Sequence, residues 1–223
     1  MSALDEALNG PARDYVRPEN PVRPRDAASL VILRQRKGGT EVLLGRRASR
    51  HRFMPNVFVF PGGRVDNADR NADINGTLSK PVAQKLETKW SPVMAQALAV
   101  AAVRETFEET GLIIGEKQKK GGVLPNLTGL DYVARAITPP DNPMRFHARF
   151  FCIDAEHTSG QVRDSEELQA LKWFTLAEAL AMPLVDVTEF VLREVERRQG
   201  GWKPPGVPLF SYRGGRAVIR YEG

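Results

Sequence analysis

Glu105, Glu108 and Glu109 fall in the run Arg104-Glu105-Thr106-Phe107-Glu108-Glu109-Thr110-Gly111-Leu112. Spacing of i, i+3 and i+4 places three carboxylates on one face if the run is helical. On an exposed helix such like-charged neighbours repel by about 0.2 to 0.5 kcal/mol a pair. They also stand near the helix C-terminus, where the macrodipole disfavours anions further. A bound cation removes both penalties. Hard carboxylate oxygens suit Mg²⁺, or Mn²⁺ in its place, and such ions keep several waters and hold substrate phosphates beside one or two protein carboxylates. The chemistry this allows is attack on a phosphoryl group by a metal-activated water. Taken alone the cluster also fits a solvated acidic helix end, so its neighbours must decide.

The helix that carries the cluster is delimited from both sides. Ser91-Pro92 supplies an N-cap and a first-turn proline, and Gly111 stands where a C-cap glycine belongs, so the sequence predicts a helix over Pro92 to Thr110. Its alanine-rich first half favours burial. Upstream, Ala27 to Leu33 and Glu41 to Leu44 are apolar runs joined by Lys37-Gly38-Gly39-Thr40, the pattern of a hairpin. A further run, Asn56 to Phe60, stops at Pro61-Gly62-Gly63, where glycine lets backbone approach a metal or phosphate closely. Residues 66–91 lose periodicity and read as an inserted loop, with a hint of helix at Pro81 to Leu86. Downstream, Leu112 to Ile114 could begin a strand, followed by a turn at Lys119-Lys120-Gly121-Gly122. Tyr132 to Thr138 and Arg145 to Ile153 read as strands and His157 to Glu166 as a loop. Trp173-Phe174 precedes a helical stretch at Ala177 to Ala181, Val187 to Gln199 is an amphipathic helix, and Leu209 to Tyr221 is a strand pair. The opening, with three prolines between Pro18 and Pro24, reads as an extended arm over residues 1–26. There is no internal repeat, and the expectation is a single domain over 1–223.

Composition narrows the class without naming it. The chain has 223 residues, 32 Lys and Arg against 27 Asp and Glu, and a net charge of +5. This mild excess suits a polyanionic small molecule. Apart from one cluster, Arg46, Arg47, Arg50 and Arg52, the basic residues are dispersed, so no nucleic-acid partner is expected. No apolar stretch is long enough for a membrane span, and the acidic start is unlike a secretory signal. The single cysteine, Cys152, lies in an apolar run and reads as packing. A cytoplasmic location is the expectation, and a homodimer is compatible with it. His51, His147 and His157 offer no zinc-ligand spacing and are read as non-catalytic.

With these residues in view a resemblance becomes explicit. The glutamate segment resembles the second half of the Nudix box, Gly-x5-Glu-x7-Arg-Glu-U-x-Glu-Glu-x-Gly-U with U bulky and apolar, matching at Arg104, Glu105, Glu108, Glu109, Gly111 and Leu112. Phe58 to Asp66 resembles its opening strand and loop. Two departures stand out. Gly63 and Arg104 are 41 positions apart where the pattern has 14, an insertion of 27 residues. The first motif glutamate is therefore unplaced: counting forward from Gly63 reaches Asp69 and counting back from Arg104 reaches Gln96, so the role is assigned to neither. Thr106 stands where an apolar residue is usual. The insertion, with Leu43 to Arg47, Phe53-Met54-Pro55, Ile137-Thr138-Pro139 and Arg145 to Phe151, resembles the branch that includes peroxisomal coenzyme A diphosphatases.

The resemblance implies an α/β fold, a Nudix-type α/β/α sandwich with a mixed sheet, and hydrolysis of a diphosphate linkage in a nucleoside diphosphate derivative. Coenzyme A or acyl-coenzyme A is the preferred substrate. A dinucleotide such as NADH, a nucleotide sugar, or a non-catalytic nucleotide-sensing module on the same fold are the alternatives. It implies an Mg²⁺ or Mn²⁺ site made of Glu105, Glu108, Glu109 and Gly63, with Glu108, Glu109 and Glu167 as candidate catalytic groups. Arg46, Arg47, Arg52 and Gly62 are candidates for binding substrate phosphates. Arg104 is expected to orient a helix glutamate and Gly111 to end the helix, both structural roles.

Overall fold

The computed structural model describes residues 1–13, 18–50, 54–119 and 121–222. Along the chain the elements are α1 (Ala3–Asn9), β1 (Arg25–Arg36), β2 (Gly39–Arg47), β3 (Phe58–Val59), β4 (Gly62–Arg64), α2 (Lys80–Glu87) and α3 (Pro92–Thr110). There follow β5 (Gly115–Lys117), β6 (Val123–Pro125), β7 (Asp131–Ile137), β8 (Phe146–Asp154), β9 (Leu168–Thr175), α4 (Leu176–Ala181), α5 (Asp186–Gln199), β10 (Val207–Arg213) and β11 (Arg216–Glu222).

β1 is the strand around which the rest is arranged. Ala28, Leu30 and Ile32 bury on one face and Val31 and Leu33 on the other, so its sequence reads as a near-continuous apolar run. It pairs in parallel with β8, antiparallel with β2 through its C-terminal half, and antiparallel with β4 through its N-terminal half. The main path is β11-β10-β7-β8-β1-β2-β3, with β9 added on β2. Two parallel pairs, β1 with β8 and β7 with β10, lie among antiparallel ones, which makes the sheet mixed. α3 and α2 cover one face over a core that includes Leu30, Ile32, Leu43 and the alanines of α3. α1, α4 and α5 cover the other, over Val31, Val42, Leu44, Phe190 and Val191. This is the expected α/β/α sandwich. Among the described residues no helix is long and apolar enough to cross a membrane.

Several elements differ from the sequence reading. The opening arm is not extended throughout: Ser2 caps α1, Leu4 is buried, and Arg25 already belongs to β1. The inserted segment holds a 3-10 turn over Ala68–Asn71 as well as α2. Leu112 to Ile114 makes only an isolated bridge, Ile113 to Ser159, and the strand starts at Gly115. Trp173-Phe174 does precede a helix, α4, as expected, but belongs to the end of a full strand, β9, that the sequence reading did not include.

Candidate active site

α3 is held at both ends as its sequence requires. Ser91 Oγ accepts from the Met94 amide at 3.3 Å, and Gly111 closes the helix in the left-handed region (φ 76°), donating to the Phe107 carbonyl at 2.9 Å. The first half of the helix buries Ala95, Leu98, Ala99 and Ala102 against the sheet. Thr106, the departure from the apolar pattern, is fully buried, and its hydroxyl is satisfied by the Ala102 carbonyl one turn back at 2.7 Å. The polar atom is thus spent inside the helix and leaves the acidic face unaltered.

That face meets the turn between β3 and β4. The Pro61 carbonyl accepts from Leu30, and Gly62, at φ 154°, lies so close to β1 that a Cβ would come within 2.5 Å of the Ala28 carbonyl oxygen. Its amide donates to Glu109 Oε2 at 2.8 Å. Gly63 lies under Glu105: a Cβ there would stand 2.4 Å from the carboxyl carbon. The two glycines therefore let backbone and two carboxylates occupy one small volume.

Arg104 ties the cluster to the inserted segment. Its guanidinium holds Asp69 through Nε at 2.8 Å and Nη2 at 3.0 Å, gives Nη1 to Glu105 at 2.9 Å and Glu108 at 3.2 Å, and donates to the Arg64 carbonyl at 2.9 Å. Asp69 is 2% exposed and also accepts the Asp66 amide at 2.7 Å. Asp69, the position reached by counting forward from Gly63 and left without a role in the sequence reading, thus anchors the arginine of the helix. The signal was the forward count, hidden by aspartate standing where the pattern has glutamate.

Arg47 approaches from β2. Its guanidinium is held below its usual range by burial, partly offset by the charges of Glu109, Glu167 and Glu105, so these four groups form one electrostatic unit. Glu167 immediately precedes β9, and its carbonyl accepts the Ala48 amide at 3.0 Å. Arg46, next in the strand, alternates to the opposite face of β2, with Val42 and Leu44 rather than Leu43. The structure thus brings Glu105, Glu109, Glu108, Glu167, Arg104, Arg47, Gly62 and Gly63 together and leaves Arg46 apart. Arg52 and His51 lie outside the described residues.

Comparison with known proteins now bears on this geometry. The NUDIX domain family matches residues 23–195. The chain belongs to that family. Among curated Nudix relatives, it is 26% identical over 207 residues to the acyl-coenzyme A diphosphatase NUDT19 of Xenopus laevis, covering 63% of this chain and 54% of that protein. It is 30% identical over 112 residues to the NUDT19 of Gallus gallus, covering 39% and 30%. The chain therefore spans about half the length of one of these relatives and less of the other. Among solved structures, a NUDIX hydrolase from Alicyclobacillus acidocaldarius matches with a TM-score of 0.58 and 26% identity, over 77% of this chain and 90% of that one. The NUDIX domain of Shewanella oneidensis NrtR, solved with ADP ribose, shares the fold at a TM-score of 0.50 and 15% identity, over 83% and 94%.

The electrostatics of this Nudix site follow from its crowding. Burial raises the Glu109 carboxyl to about 8, opposed by the Gly62 amide and reinforced by Glu105. Burial also raises Glu105, against the pull of Arg104. Arg104 is opposed by its own burial, yet the bond to Asp69 and the charge of Glu105 carry it well above its usual range. Among the described residues no three Asp, Glu, His or Cys side chains form a ready-made metal cage; Glu105 and Glu108 share Arg104, and Glu109 holds the Gly62 amide. The donor set nevertheless suits a hard divalent ion. Among the described residues, Glu105, Glu108, Glu109, Glu167 and Asp69 lie about Arg104 and Arg47, five carboxylates to two guanidiniums in a half-buried place.

Proposed function

We propose that this Nudix domain hydrolyses the diphosphate linkage of a nucleoside diphosphate derivative with Mg²⁺ or Mn²⁺ bound, and that coenzyme A or an acyl-coenzyme A is its substrate. One observation carries the reading: the glycine turn meets the acidic face of α3, with the Gly62 amide on Glu109 and Gly63 directly under the Glu105 carboxylate. The substrate choice is supported by the relatives named acyl-coenzyme A diphosphatase.

Glu105, Glu108 and Glu109 would hold the cation, which supplies charge neutralisation on the diphosphate and a more acidic attacking water. The residues of the chain do the rest. Gly62 and Gly63 let the β3–β4 turn come up against Glu109 and Glu105, and Arg47 would place a guanidinium beside these carboxylates to meet charge that develops on the diphosphate. Glu167 and Glu109 are the candidate proton acceptors for the attacking water, since both lie within electrostatic reach of Arg47 and Glu105. Arg104, pinned by Asp69, fixes the carriage of Glu105 and Glu108 and is a positioning residue.

The test is incubation with coenzyme A, acyl-coenzyme A, NADH and a nucleotide sugar, with and without Mg²⁺, following products by chromatography. Phosphopantetheine and adenosine 3′,5′-bisphosphate should form from coenzyme A only with metal. Glu109→Gln and Glu108→Gln should each lower turnover by about two orders of magnitude or more, the scale for removing one charge-handling group from such a site. Full activity in both variants overturns the assignment. Ligand-dependent thermal stabilisation without any product would make the chain a nucleotide sensor instead.

A further inference from the structure

Next to the carboxylate cluster lies a second concentration of charge, of opposite sign. Beyond Gly63 the chain runs through Arg64 and Asp66 into the 3-10 turn, where Asp69 faces inward to Arg104 while Arg70 is exposed. The start of β1 lies alongside, with Ala27 registered against Arg64 and the Val65 amide donating to the Asp26 carbonyl at 3.0 Å. Between them is a groove of about 270 Å³ lined by Arg23, Arg25, Asp26, Arg64, Asp66 and Arg70.

The charges in this groove do not cancel. Asp26 is engaged by the fully buried Arg149 at 2.6 Å, so its charge is already matched from behind. That leaves Asp66 against four exposed arginines, Arg23, Arg25, Arg64 and Arg70, none of which makes an ion pair among the described residues. Four like charges held around one concavity raise its potential and call for an anion. Guanidinium forks match phosphate oxygens in geometry as well as charge. The volume lies below the range of a nucleoside-sized pocket, roughly 300 to 1,000 Å³, and so suits a single phosphate group.

Its position says whose phosphate. The segment separating groove from glutamates is bonded to the catalytic network at two points: the Arg64 carbonyl takes Arg104 Nη2 at 2.9 Å, and the Asp66 amide donates to Asp69. The groove thus adjoins the Gly62-Gly63 turn through Arg64, next to where the proposed function puts the diphosphate. We propose that the arginine groove binds a phosphate monoester on the ribose of the substrate, so that the domain selects diphosphates whose nucleoside is itself phosphorylated. A monoester is close to a dianion at neutral pH, which a diester is not. This rests on the diphosphatase reading, and the 3′ position, as in coenzyme A, and the 2′ position, as in NADPH, present the same group.

The test compares kcat/KM for coenzyme A against dephospho-coenzyme A and for NADPH against NADH, in the wild-type chain and in Arg23→Ala/Arg70→Ala. Both substituted side chains are exposed, and melting curves check the fold. We expect the wild type to favour the phosphorylated member of at least one pair by about 10- to 100-fold, the scale of one or two charge-assisted hydrogen bonds, and the ratio to fall toward one in the double variant. The pair in which the preference is found identifies the ribose position. A second arm measures binding of adenosine 3′,5′-bisphosphate and adenosine 2′,5′-bisphosphate against AMP by calorimetry, which needs no turnover. One bisphosphate should bind at least 10-fold tighter than AMP, and the double variant should lose that margin. Diphosphate hydrolysis with equal ratios in both proteins overturns the groove and leaves the function standing. Absence of hydrolysis together with a bisphosphate margin lost in the variant overturns the function and leaves the groove standing. No bisphosphate margin in the wild type overturns the groove whatever the activity.

Discussion

At the scale of single residues, the two glycines of the β3–β4 turn make separable demands. An added methyl at Gly62 meets β1 backbone, which cannot move aside, and φ of 154° strains any L side chain. Gly62→Ala should therefore cost stability, about 1 to 3 kcal/mol on the scale of a strained backbone position. At Gly63 the same methyl meets only the carboxyl end of Glu105, which can swing away. Gly63→Ala should melt within a few degrees of wild type yet lose activity 10-fold or more, because the displaced carboxylate is a metal-ligand candidate. Thermal melting and turnover measured on both variants decide this, and equal stability losses would refute the distinction. The acidic trio was legible because its information is local, a spacing on one helix. Asp69 was not, because its role comes from a contact 35 positions away. The difference between Arg46 and Arg47 is a matter of strand alternation, which assigns neighbours to opposite faces only once the strand is placed.

At the scale of elements, α3 could be read to the residue from its caps, whereas β9 could not be read at all. Its burial pattern lacks alternation, and its pairing with β2 shifts register where Ala170 adopts φ 50°, so neither periodicity nor propensity marked it. The stretch from Arg145 to Ile153 was legible as a strand, but not what its polar residues do. On β8, Arg149 is fully buried under Trp90, its guanidinium carbon 4.2 Å from the ring centroid, and His147 packs edge-on to the same indole at 5.5 Å. Trp90 ends the inserted segment, so these residues clamp it to the sheet. His147 Nε2 lies 3.1 Å from Arg135 Nη1, and since a guanidinium can only donate, that nitrogen accepts and the ring is neutral. Burial, then Arg149 and Arg135, bring its pKa down to about 3. The linkage has a definite sign. Above pH 6.5 both folded and unfolded chains carry a neutral ring. Below it the unfolded chain takes up a proton that the folded one refuses, so stability falls as pH drops from about 6.5 toward 3. Between pH 6.5 and 5.5 this amounts to about 1 kcal/mol. His147→Gln, which can still accept from Arg135, should lose that much less over the same interval. Urea midpoints of the two proteins at each pH measure it, with contributions from other groups cancelling in the difference, and parallel pH profiles would rule it out.

At the scale of the whole molecule, the sandwich followed from the family resemblance, while the strand order did not. β1 takes β8 on one edge and shares the other between β2 and β4, and this sharing is what sets the glycine turn beneath α3. No local pattern specifies such an arrangement. The same limit hid α1, whose seven residues look like part of a proline-rich arm until α5 supplies a surface. Leu4 is 4% exposed there, and its amide donates to Glu189 Oε2 at 2.9 Å. Glu189 is 3% exposed and is also bonded by Ser2 and Arg193, so α1 and its cap both complete the second core and satisfy a buried carboxylate. Leu4→Ala should cost about 2 to 3 kcal/mol, as for other buried leucines, which in a chain of this length is a fall in Tm of about 4 to 12 °C. Since α1 packs on the face of the sheet away from the glutamates, kcat and KM at low temperature should stay at wild-type values. A melting point unchanged by the substitution would mean that α1 is not docked on α5 in solution. A lowered kcat at full stability would mean that the two faces of the sheet are coupled, through β1 and β2, more tightly than their separate cores imply.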